Sequence, residues 1–183
     1  EIAVHTQQLL GADIQMVLDV CPPLPSPPHI IREALERTSA WAARAKEAHQ
    51  RPDQALFGIV QGGVYPALRT ESAARLREIG FDGYAIGGVS VGEPEEHMLH
   101  QVGLVAPRLP AHKPRYVMGV GTPPQLLRMV ALGADMFDCT MPTRIGRHGG
   151  AFTPDGPVSV KPLRYREDHR PLVEGMDNYT CRH

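Results

Sequence analysis

Short apolar runs alternate along the chain with longer stretches whose apolar residues recur at helical spacing. The runs predict buried strands at 14–18, 56–60, 84–86, 116–120 and 136–137. The helical patterns between them lie at 30–49, 66–78, 95–105 and 123–131. Strands that are apolar throughout and alternate with helices are typical of a parallel sheet with right-handed helical crossovers. The pattern therefore predicts an α/β fold.

Glycines punctuate this alternation. Gly11, Gly80 and Gly133 each follow a helical pattern and precede a short loop into a strand, a position where glycine commonly ends a helix. The alternation stops after Pro142, and segment 151–160 predicts two short strands about an Asp-Gly turn. A small β appendage is therefore expected after the sheet.

A distinctive residue or residue pair marks the end of each predicted strand. In order along the chain they are Asp19, Gln61, Gly87 with Gly88, Met118 with Gly119, and Asp138. In barrels and open sheets built from parallel strands, sites form at the carboxyl ends of the strands. We therefore expect these residues to gather at one edge of the sheet and to form a site.

Each of these residues also has a purely structural explanation. Asp19 and Asp138 could each cap the turn that follows its strand. Gln61 could be a satisfied core amide, although the two glycines after it allow a ligand to approach the backbone closely. Arg144 and Arg147 are three residues apart and share a face if the segment is helical, but a solvated pair fits equally well.

Composition then limits the class of protein. The 183 residues, 42% of them hydrophobic, are enough for one globular core. The chain has no apolar run of about 18 residues, and its first residues lack the basic and then apolar pattern of a signal peptide. Its three cysteines are an odd number at wide spacing, which argues against a disulfide framework and fits a reducing compartment. We therefore expect a cytoplasmic protein with no membrane partner.

Motifs for nucleotide cofactors are weak. Gly119-Val120-Gly121 lacks the third glycine of a dinucleotide-binding fingerprint, and segment 58–63 has no phosphate-loop lysine. We therefore expect no nucleotide cofactor.

Four separated segments resemble the tRNA-guanine transglycosylases, the queuine tRNA-ribosyltransferase family. They are 57–63 (FGIVQGG), 80–93 (GFDGYAIGGVSVGE), 116–121 (YVMGVG) and 135–147 (DMFDCTMPTRIGR). The segments occur in the order that the family has, and the resemblance covers essentially the whole chain. It implies a TIM-type (β/α) barrel enzyme of queuosine biosynthesis that exchanges the wobble guanine of certain tRNAs for a 7-deazaguanine base.

The resemblance also assigns roles to residues. Asp138 matches the family's nucleophile, which attacks the ribose and holds the tRNA as a covalent aspartyl-ribosyl intermediate, as in retaining glycoside chemistry. The positions that match the family's base-binding residues are Asp19, Gln61, Gly88, Val89, Glu93 and Met118. Cys21, and Val91 in place of a glycine, resemble the bacterial enzymes, which accept 7-aminomethyl-7-deazaguanine.

The expected partners are the tRNA anticodon loop, the 7-deazaguanine base and a second copy of the intact enzyme in a homodimer. The positions that match tRNA-contacting segments of the family are Gly119, Val120, Gly121, Thr122, Pro123, Pro124, Gln125, Thr143, Arg144, Ile145, Gly146 and Arg147. Arginines in such a segment suit a phosphate clamp.

The chain also departs from the family's pattern. Five strands are visible where a TIM-type barrel has eight, so we expect an amino-terminally incomplete barrel that begins after the family's early proton-acceptor aspartate. The positions that match the family's zinc cysteines read Met176, Asn178 and Cys181, and a thioether and an amide are poor zinc ligands. We therefore divide the chain into a partial barrel over 1–150, which carries the base-exchange site, and a β appendage with a degenerate start of the zinc subdomain over 151–183. No tightly bound zinc is expected.

Two alternatives stay open at this point. One is a non-catalytic partner or inactive fragment of the same family that retains the RNA-binding surface. The other is an unrelated sugar-phosphate barrel enzyme whose arginines bind a small phosphate; it leaves the glycine pairs after Gln61 and at Gly87 unexplained.

Overall fold

The structure is a computed structural model that describes residues 1–171 and 173–175. The chain divides into two compact units, the first over Glu1–Cys139 and the second from Thr140 onward. The boundary predicted at residue 150 therefore lies inside the second unit. Each unit is described by itself below.

The first unit is built on a parallel sheet. Its strands are β1 (Ile14–Met16), β2 (Ala55–Val60), β3 (Gly83–Ile86), β4 (Arg115–Val117) and β5 (Met136–Phe137). They pair in chain order, β1-β2-β3-β4-β5, and every pairing is parallel. The sheet curls, which is compatible with part of a TIM-type (β/α) barrel. The prediction of a parallel α/β fold is confirmed.

Helices separate the strands as the sequence pattern indicates. They are α1 (Ile2–Leu10), α2 (Pro28–Ala48), α3 (Pro66–Ile79), α4 (Glu95–Val105) and α5 (Pro123–Ala131), with a 3₁₀ turn at Ala106–Arg108 after α4. Proline occupies the first turn of α2, α3 and α5, where its missing N–H is not needed by the helix. Gly11 and Gly80 follow α1 and α3 at φ angles of 72° and 77°, in the left-handed region that glycine tolerates.

The core lies between the sheet and the helices that follow β1, β2, β3 and β4. The side chains with no exposed surface include Leu56, Ile86, Val102, Val117 and Met129. Since all four residues of β3 are buried, this central strand is apolar on both faces, as the continuous apolar run predicted.

Two strands are shorter than the sequence suggested. The first apolar run extends to residue 18 but β1 ends at Met16, and the fourth extends to residue 120 but β4 ends at Val117. Beyond these points the chain leaves the sheet and turns into the loops that carry the candidate site. Each apolar run extends past the end of its strand because the following loop also contains a buried residue, Val17 in one case and Val120 in the other.

The second unit begins with the short helix α6 (Met141–Arg147) and continues into an antiparallel hairpin, β6 (Gly150–Thr153) and β7 (Gly156–Ser159). Pro154 and Asp155 form the turn between the two strands, and Gly156 begins β7 with a φ of 114°. These strands lie in the segment for which two short strands were predicted, and their attachment to the sheet as an appendage stays a prediction. A 3₁₀ turn at Leu163–Tyr165 follows.

In the part of the chain that the structure describes, no helix combines the length and the apolar character that a membrane crossing requires.

Gly83 offers a test of the sheet packing. A Cβ at this position would lie 2.3 Å from the Phe57 ring, so we expect Gly83→Ala to lower the free energy of unfolding by about 1–3 kcal/mol through overpacking. Gly103→Ala is the matched control, because its Cβ meets only Leu132 at an ordinary 3.4 Å and alanine favours the helix by about 0.5–1 kcal/mol. Urea unfolding of both variants measures the difference. Equal stability of the two variants would contradict this packing.

Candidate active site

A series of hydrogen bonds follows the carboxyl edge of the sheet. It links the ends of β1 and β2 through Asp19 and Gln61, and the ends of β3, β4 and β5 through Ser90, Gly119 and Asp138. The loops after these strands meet here because parallel pairing brings all five carboxyl ends to one edge. The structure thus brings the predicted strand-end residues of the first unit to one edge of the sheet.

Asp19 and Gln61 form a direct pair at one side of this edge. The Gln61 Nε2 amide donates to Asp19 Oδ2 at 2.6 Å, and the Gln61 side chain is only 2% exposed. The Gln61 backbone N–H donates to Ser72 Oγ at 3.1 Å, which holds the residue against α3. The amide is therefore buried and fixed, and its Oε1 atom faces the next strand end.

Glycine at positions 87 and 88 is required by this buried amide. A Cβ at Gly87 would lie 2.9 Å from Gln61 Nε2, and one at Gly88 would lie 2.6 Å from Gln61 Oε1. Gly88 also has a φ of 62°. Because space demands glycine at both positions and conformation also demands it at Gly88, the backbone of this turn comes close to the buried amide.

Arg69 is a site residue that the sequence analysis missed. Its guanidinium is fully buried beneath the glycine turns and donates to the carbonyl oxygens of Gly63, Gly87 and Gly88 at 2.7, 2.8 and 2.8 Å. Burial lowers its pKa to about 10, so it remains a cation at neutral pH. The sequence did contain a pattern that predicts this burial. Arg69 lies three, four and seven residues before Ser72, Ala73 and Leu76, which places it on the buried face of α3.

Glu93 closes the loop after β3. Its carboxylate accepts hydrogen bonds from the backbone N–H groups of Ser90 at 2.5 Å and Val91 at 2.9 Å. Ser90 has a positive φ of 60°, which is unusual for a residue with a side chain. The Val89 side chain is 4% exposed and packs in the core, so only its backbone is available to a ligand. In this structure Glu93 stabilises its own loop through these two hydrogen bonds.

Ser90 connects this loop with the next strand. Its Oγ donates to the carbonyl oxygen of Gly119 at 2.9 Å, and the Gly119 N–H donates to Asp138 Oδ1 at 2.8 Å. One peptide segment after β4 therefore contacts both the β3 loop and the predicted nucleophile. Ser90 is a second residue that sequence patterning did not single out.

Asp138 is exposed at the end of β5 and is held by two donors. The Tyr116 hydroxyl donates to Asp138 Oδ1 at 2.6 Å, and the Gly119 N–H reaches the same oxygen. Burial, and then the hydrogen bond to Asp138, raises the pKa of Tyr116 above its usual value, so the hydroxyl stays a donor. Tyr116 was also missed, because an aromatic residue within a predicted strand carries no signal of its own.

The remaining predicted residues of the first unit surround this edge. Met118 is half-buried and packs against the core, and Val120 is buried. Gly121 approaches Cys139 so closely that a Cβ would lie 2.1 Å from the cysteine Cβ. Thr122, Pro123, Pro124 and Gln125 cap and begin α5.

Cys21 belongs to the same neighbourhood as Asp19 and Gln61. Partial burial, followed by the negative charge of Asp19, raises the pKa of the Cys21 thiol. The thiol is therefore neutral at pH 7 and suits contact with an uncharged ligand.

Two arginines of the second unit, Arg144 and Arg147, lie on α6. Thr143, Arg144, Ile145, Gly146 and Arg147 all fall within this helix, so Arg144 and Arg147 do lie three residues apart on a helix as predicted. Both side chains are exposed. Their role in binding phosphate stays a prediction.

The predicted zinc positions Met176, Asn178 and Cys181 lie outside the described residues. Within residues 1–171 and 173–175, histidine, cysteine and carboxylate side chains form no group of three that could hold a metal. The expectation about zinc therefore stays a prediction.

Comparison with known proteins gives one consistent result. Residues 1–183 match the family described as queuine tRNA-ribosyltransferase. A queuine tRNA-ribosyltransferase of Halothermothrix orenii is 52% identical over 182 residues, which are 100% of this chain and 49% of that protein. Those of Methylobacillus flagellatus and Syntrophobacter fumaroxidans are 52% and 53% identical, over 99% and 100% of this chain and 49% of each relative.

The chain spans about half the length of the curated relatives it matches. The match nevertheless runs from the first residue to the last and includes all four segments singled out in the sequence. The chain therefore belongs to the queuine tRNA-ribosyltransferase family.

Proposed function

We propose that the protein carrying this chain exchanges the wobble guanine of tRNA for 7-aminomethyl-7-deazaguanine, with Asp138 as the nucleophile. One observation carries the proposal: an exposed carboxylate, fixed by two donors, lies on the same sheet edge as Asp19 and the buried Gln61 amide that bonds to it. A nucleophile and a planar hydrogen-bonding surface are the two parts that base exchange needs. Family membership removes the alternative of an unrelated sugar-phosphate enzyme.

The orientation of Asp138 suits attack on the ribose. Both hydrogen bonds go to Oδ1, so Oδ2 is the oxygen left to attack the anomeric carbon. As the Oδ2–C1′ bond forms, the C1′–N9 bond breaks and its electron pair leaves with guanine. The incoming base then attacks C1′ through its own ring nitrogen and releases the carboxylate, so two inversions give net retention.

Asp19, Gln61 and Gly88 are the groups that would recognise the base. A carboxylate matches the ring N–H and exocyclic amine of guanine, whereas a backbone N–H and an amide match its carbonyl. The leaving guanine carries developing negative charge, and fixed donors at its carbonyl stabilise that charge in the transition state. The rigid Asp19–Gln61 pair supports such a role because its geometry is set before the base arrives.

The tRNA would approach along the loop after β4 and along α6. The segments are 119–125 in the first unit and 143–147 in the second, and Arg144 and Arg147 would contact phosphates. The target guanine must leave the anticodon stack, which costs less in a single-stranded loop than in a duplex. Residues 119–125 suit this position because Gly119 already contacts Asp138.

The proposal has further parts. The intact enzyme acts as a homodimer on the anticodon loop, in the cytoplasm, a reducing compartment in which no disulfide is expected. No nucleotide cofactor is required, because the covalent aspartyl intermediate divides the exchange into two displacements. Tight zinc binding through Met176, Asn178 and Cys181 is not expected, because a thioether and an amide are poor zinc ligands.

Covalent capture tests the nucleophile directly. Incubation of the full-length protein with unmodified tRNA should give a shifted band on a denaturing gel, and Asp138→Asn should lose it because an amide oxygen is a poor nucleophile. Asp135→Asn is the matched control, since the Asp135 carboxylate accepts from the Arg115 N–H one strand away and should not affect capture. A folded protein that binds tRNA and shows no band would support the non-catalytic partner instead.

Tyr116→Phe tests the positioning of Asp138. Loss of a hydrogen bond to a charged group is worth about 1.5–3 kcal/mol, so we expect kcat to fall about 10- to 100-fold with the KM for the base little changed. Tyr84→Phe is the control, because that hydroxyl accepts from the Phe81 N–H at the opposite end of β3. Steady-state exchange of labelled guanine measures both variants, and an unchanged kcat in Tyr116→Phe would contradict the role.

Val91 tests the identity of the incoming base. The wild type should incorporate 7-aminomethyl-7-deazaguanine faster than queuine, because a valine side chain fills space that the bulkier base requires. Val91→Gly should increase the rate with queuine about 10-fold or more relative to the aminomethyl base, and Val91→Ile should not. Competition between the two bases for guanine-loaded tRNA measures the ratio. Faster queuine incorporation by the wild type would show that the base assignment is wrong.

A further inference from the structure

The guanidinium of Arg69 contacts three carbonyl groups and no carboxylate in the described part of the chain. The side chain has no exposed surface, yet it extends from α3 to the turns after both β2 and β3. A buried cation normally has an ionised partner, because taking a charge out of water is costly. Here three carbonyl oxygens, the negative ends of peptide dipoles, take the place of an ionised partner. Packing alone does not explain why a cation is buried at this position.

The hydrogen bonds from Arg69 to the Gly87 and Gly88 carbonyls determine the direction of the two backbone N–H groups that follow them. In a trans peptide the C=O and the following N–H point in opposite directions. Since the Gly87 and Gly88 carbonyls point at Arg69, the N–H groups of Gly88 and Val89 point away from it. Gln61 Oε1 lies on the side where Gly88 would carry a side chain, so this turn adjoins the Asp19–Gln61 pair.

Of these two donors, the Val89 N–H is left without a partner in the described chain and the Gly88 N–H has only a weak one. On one side of them the Gly87 N–H donates to the Val60 carbonyl at 3.0 Å. On the other side the N–H groups of Ser90 and Val91 donate to Glu93. The Val89 N–H makes no hydrogen bond to a described residue, and the Gly88 N–H has only the Cys21 sulfur, a weak acceptor, as its partner. Two adjacent, parallel peptide donors in a glycine turn suit a carbonyl oxygen or an oxyanion.

We infer that Arg69 is the positioning residue for the base carbonyl: it holds the Gly88 and Val89 N–H groups toward the purine and polarises them. This inference rests on the proposed function. The planar fork of arginine serves three carbonyls at once, whereas lysine offers a single point charge. A cation on the carbonyl side also strengthens the N–H of the same peptide as a donor, because hydrogen bonds in a chain polarise one another.

Two other contacts hold Arg69 in this orientation. Gly62 lies so close to α3 that a Cβ would be 2.6 Å from the Arg69 backbone nitrogen. The negative charge of Glu93, which braces the loop on its other side, acts to raise the Arg69 pKa against the effect of burial. The cation, the glycine turns and the Glu93 brace therefore form one preorganised unit.

The test measures how strongly the enzyme recognises a purine carbonyl. Guanine and 2-aminopurine, which lacks the carbonyl, are compared as competitive inhibitors of base exchange by the full-length protein. The wild type should bind guanine about 100-fold more tightly, because a site built to hydrogen-bond a group rejects the analogue that lacks it. In Arg69→Lys this ratio should fall about 10-fold, with the KM for tRNA within about twofold of wild type.

Arg75→Lys is the matched control on the same helix. Arg75 pairs with Glu36 and Glu71 at the surface, so its replacement should leave the ratio unchanged. The ratio of inhibition constants does not depend on how much of each preparation is active, so a general loss of stability does not change it. If Arg69→Lys does not fold, Arg69→Gln, whose amide can still reach one carbonyl, is used for the same measurement.

The outcomes separate the inference from the function on which it rests. An unchanged guanine to 2-aminopurine ratio in a folded Arg69 variant overturns the inference, and a purely structural role for Arg69 predicts that result. A reduced ratio together with a normal KM for tRNA supports it. If the wild type neither exchanges nor binds guanine, the proposed function fails instead.

Discussion

Parallel pairing of the five strands is the constraint on which the rest of this structure depends. Because β1 to β5 run in the same direction and pair in chain order, every strand ends at one edge, and each following loop begins there. Residues that are widely separated in sequence, such as Asp19 and Asp138, therefore share this edge. The sheet does not supply hydrogen-bond partners for the polar groups of these loops. The loops instead form hydrogen bonds with one another, through Gln61, Ser90 and Gly119.

The edge combines buried support with an exposed reactive group. Arg69 and Gln61 lie almost fully buried under the glycine turns, whereas Asp138 faces solvent and is held through a single carboxylate oxygen. This division suits base exchange, since the base must find fixed hydrogen-bonding groups while the ribose must reach a free carboxylate oxygen. Rigid support beneath and an exposed carboxylate above are thus products of the same loop arrangement.

Local patterns predicted most of the fold and part of the site. Apolar runs located all five strands, and Asp19, Gln61 and Asp138 stood out because polar residues rarely end such runs without a reason. Arg69, Tyr116 and Ser90 did not stand out. Arg69 occupies a helix whose other arginines lie at the surface, and Tyr116 sits within a strand where an aromatic residue is ordinary. Their importance comes from what lies opposite them, which spacing along one element does not reveal.

The sequence by itself determined the alternation of strands and helices, the hairpin about Asp155 and Gly156, and the identity of the strand-end carboxylates. These depend on periodicity and on residue chemistry, which are local properties. Only the tertiary structure decided that one guanidinium serves three carbonyls from two loops and that two donors share one oxygen of Asp138. Such contacts join residues up to 22 positions apart, and their geometry exists only after the sheet has aligned the loops.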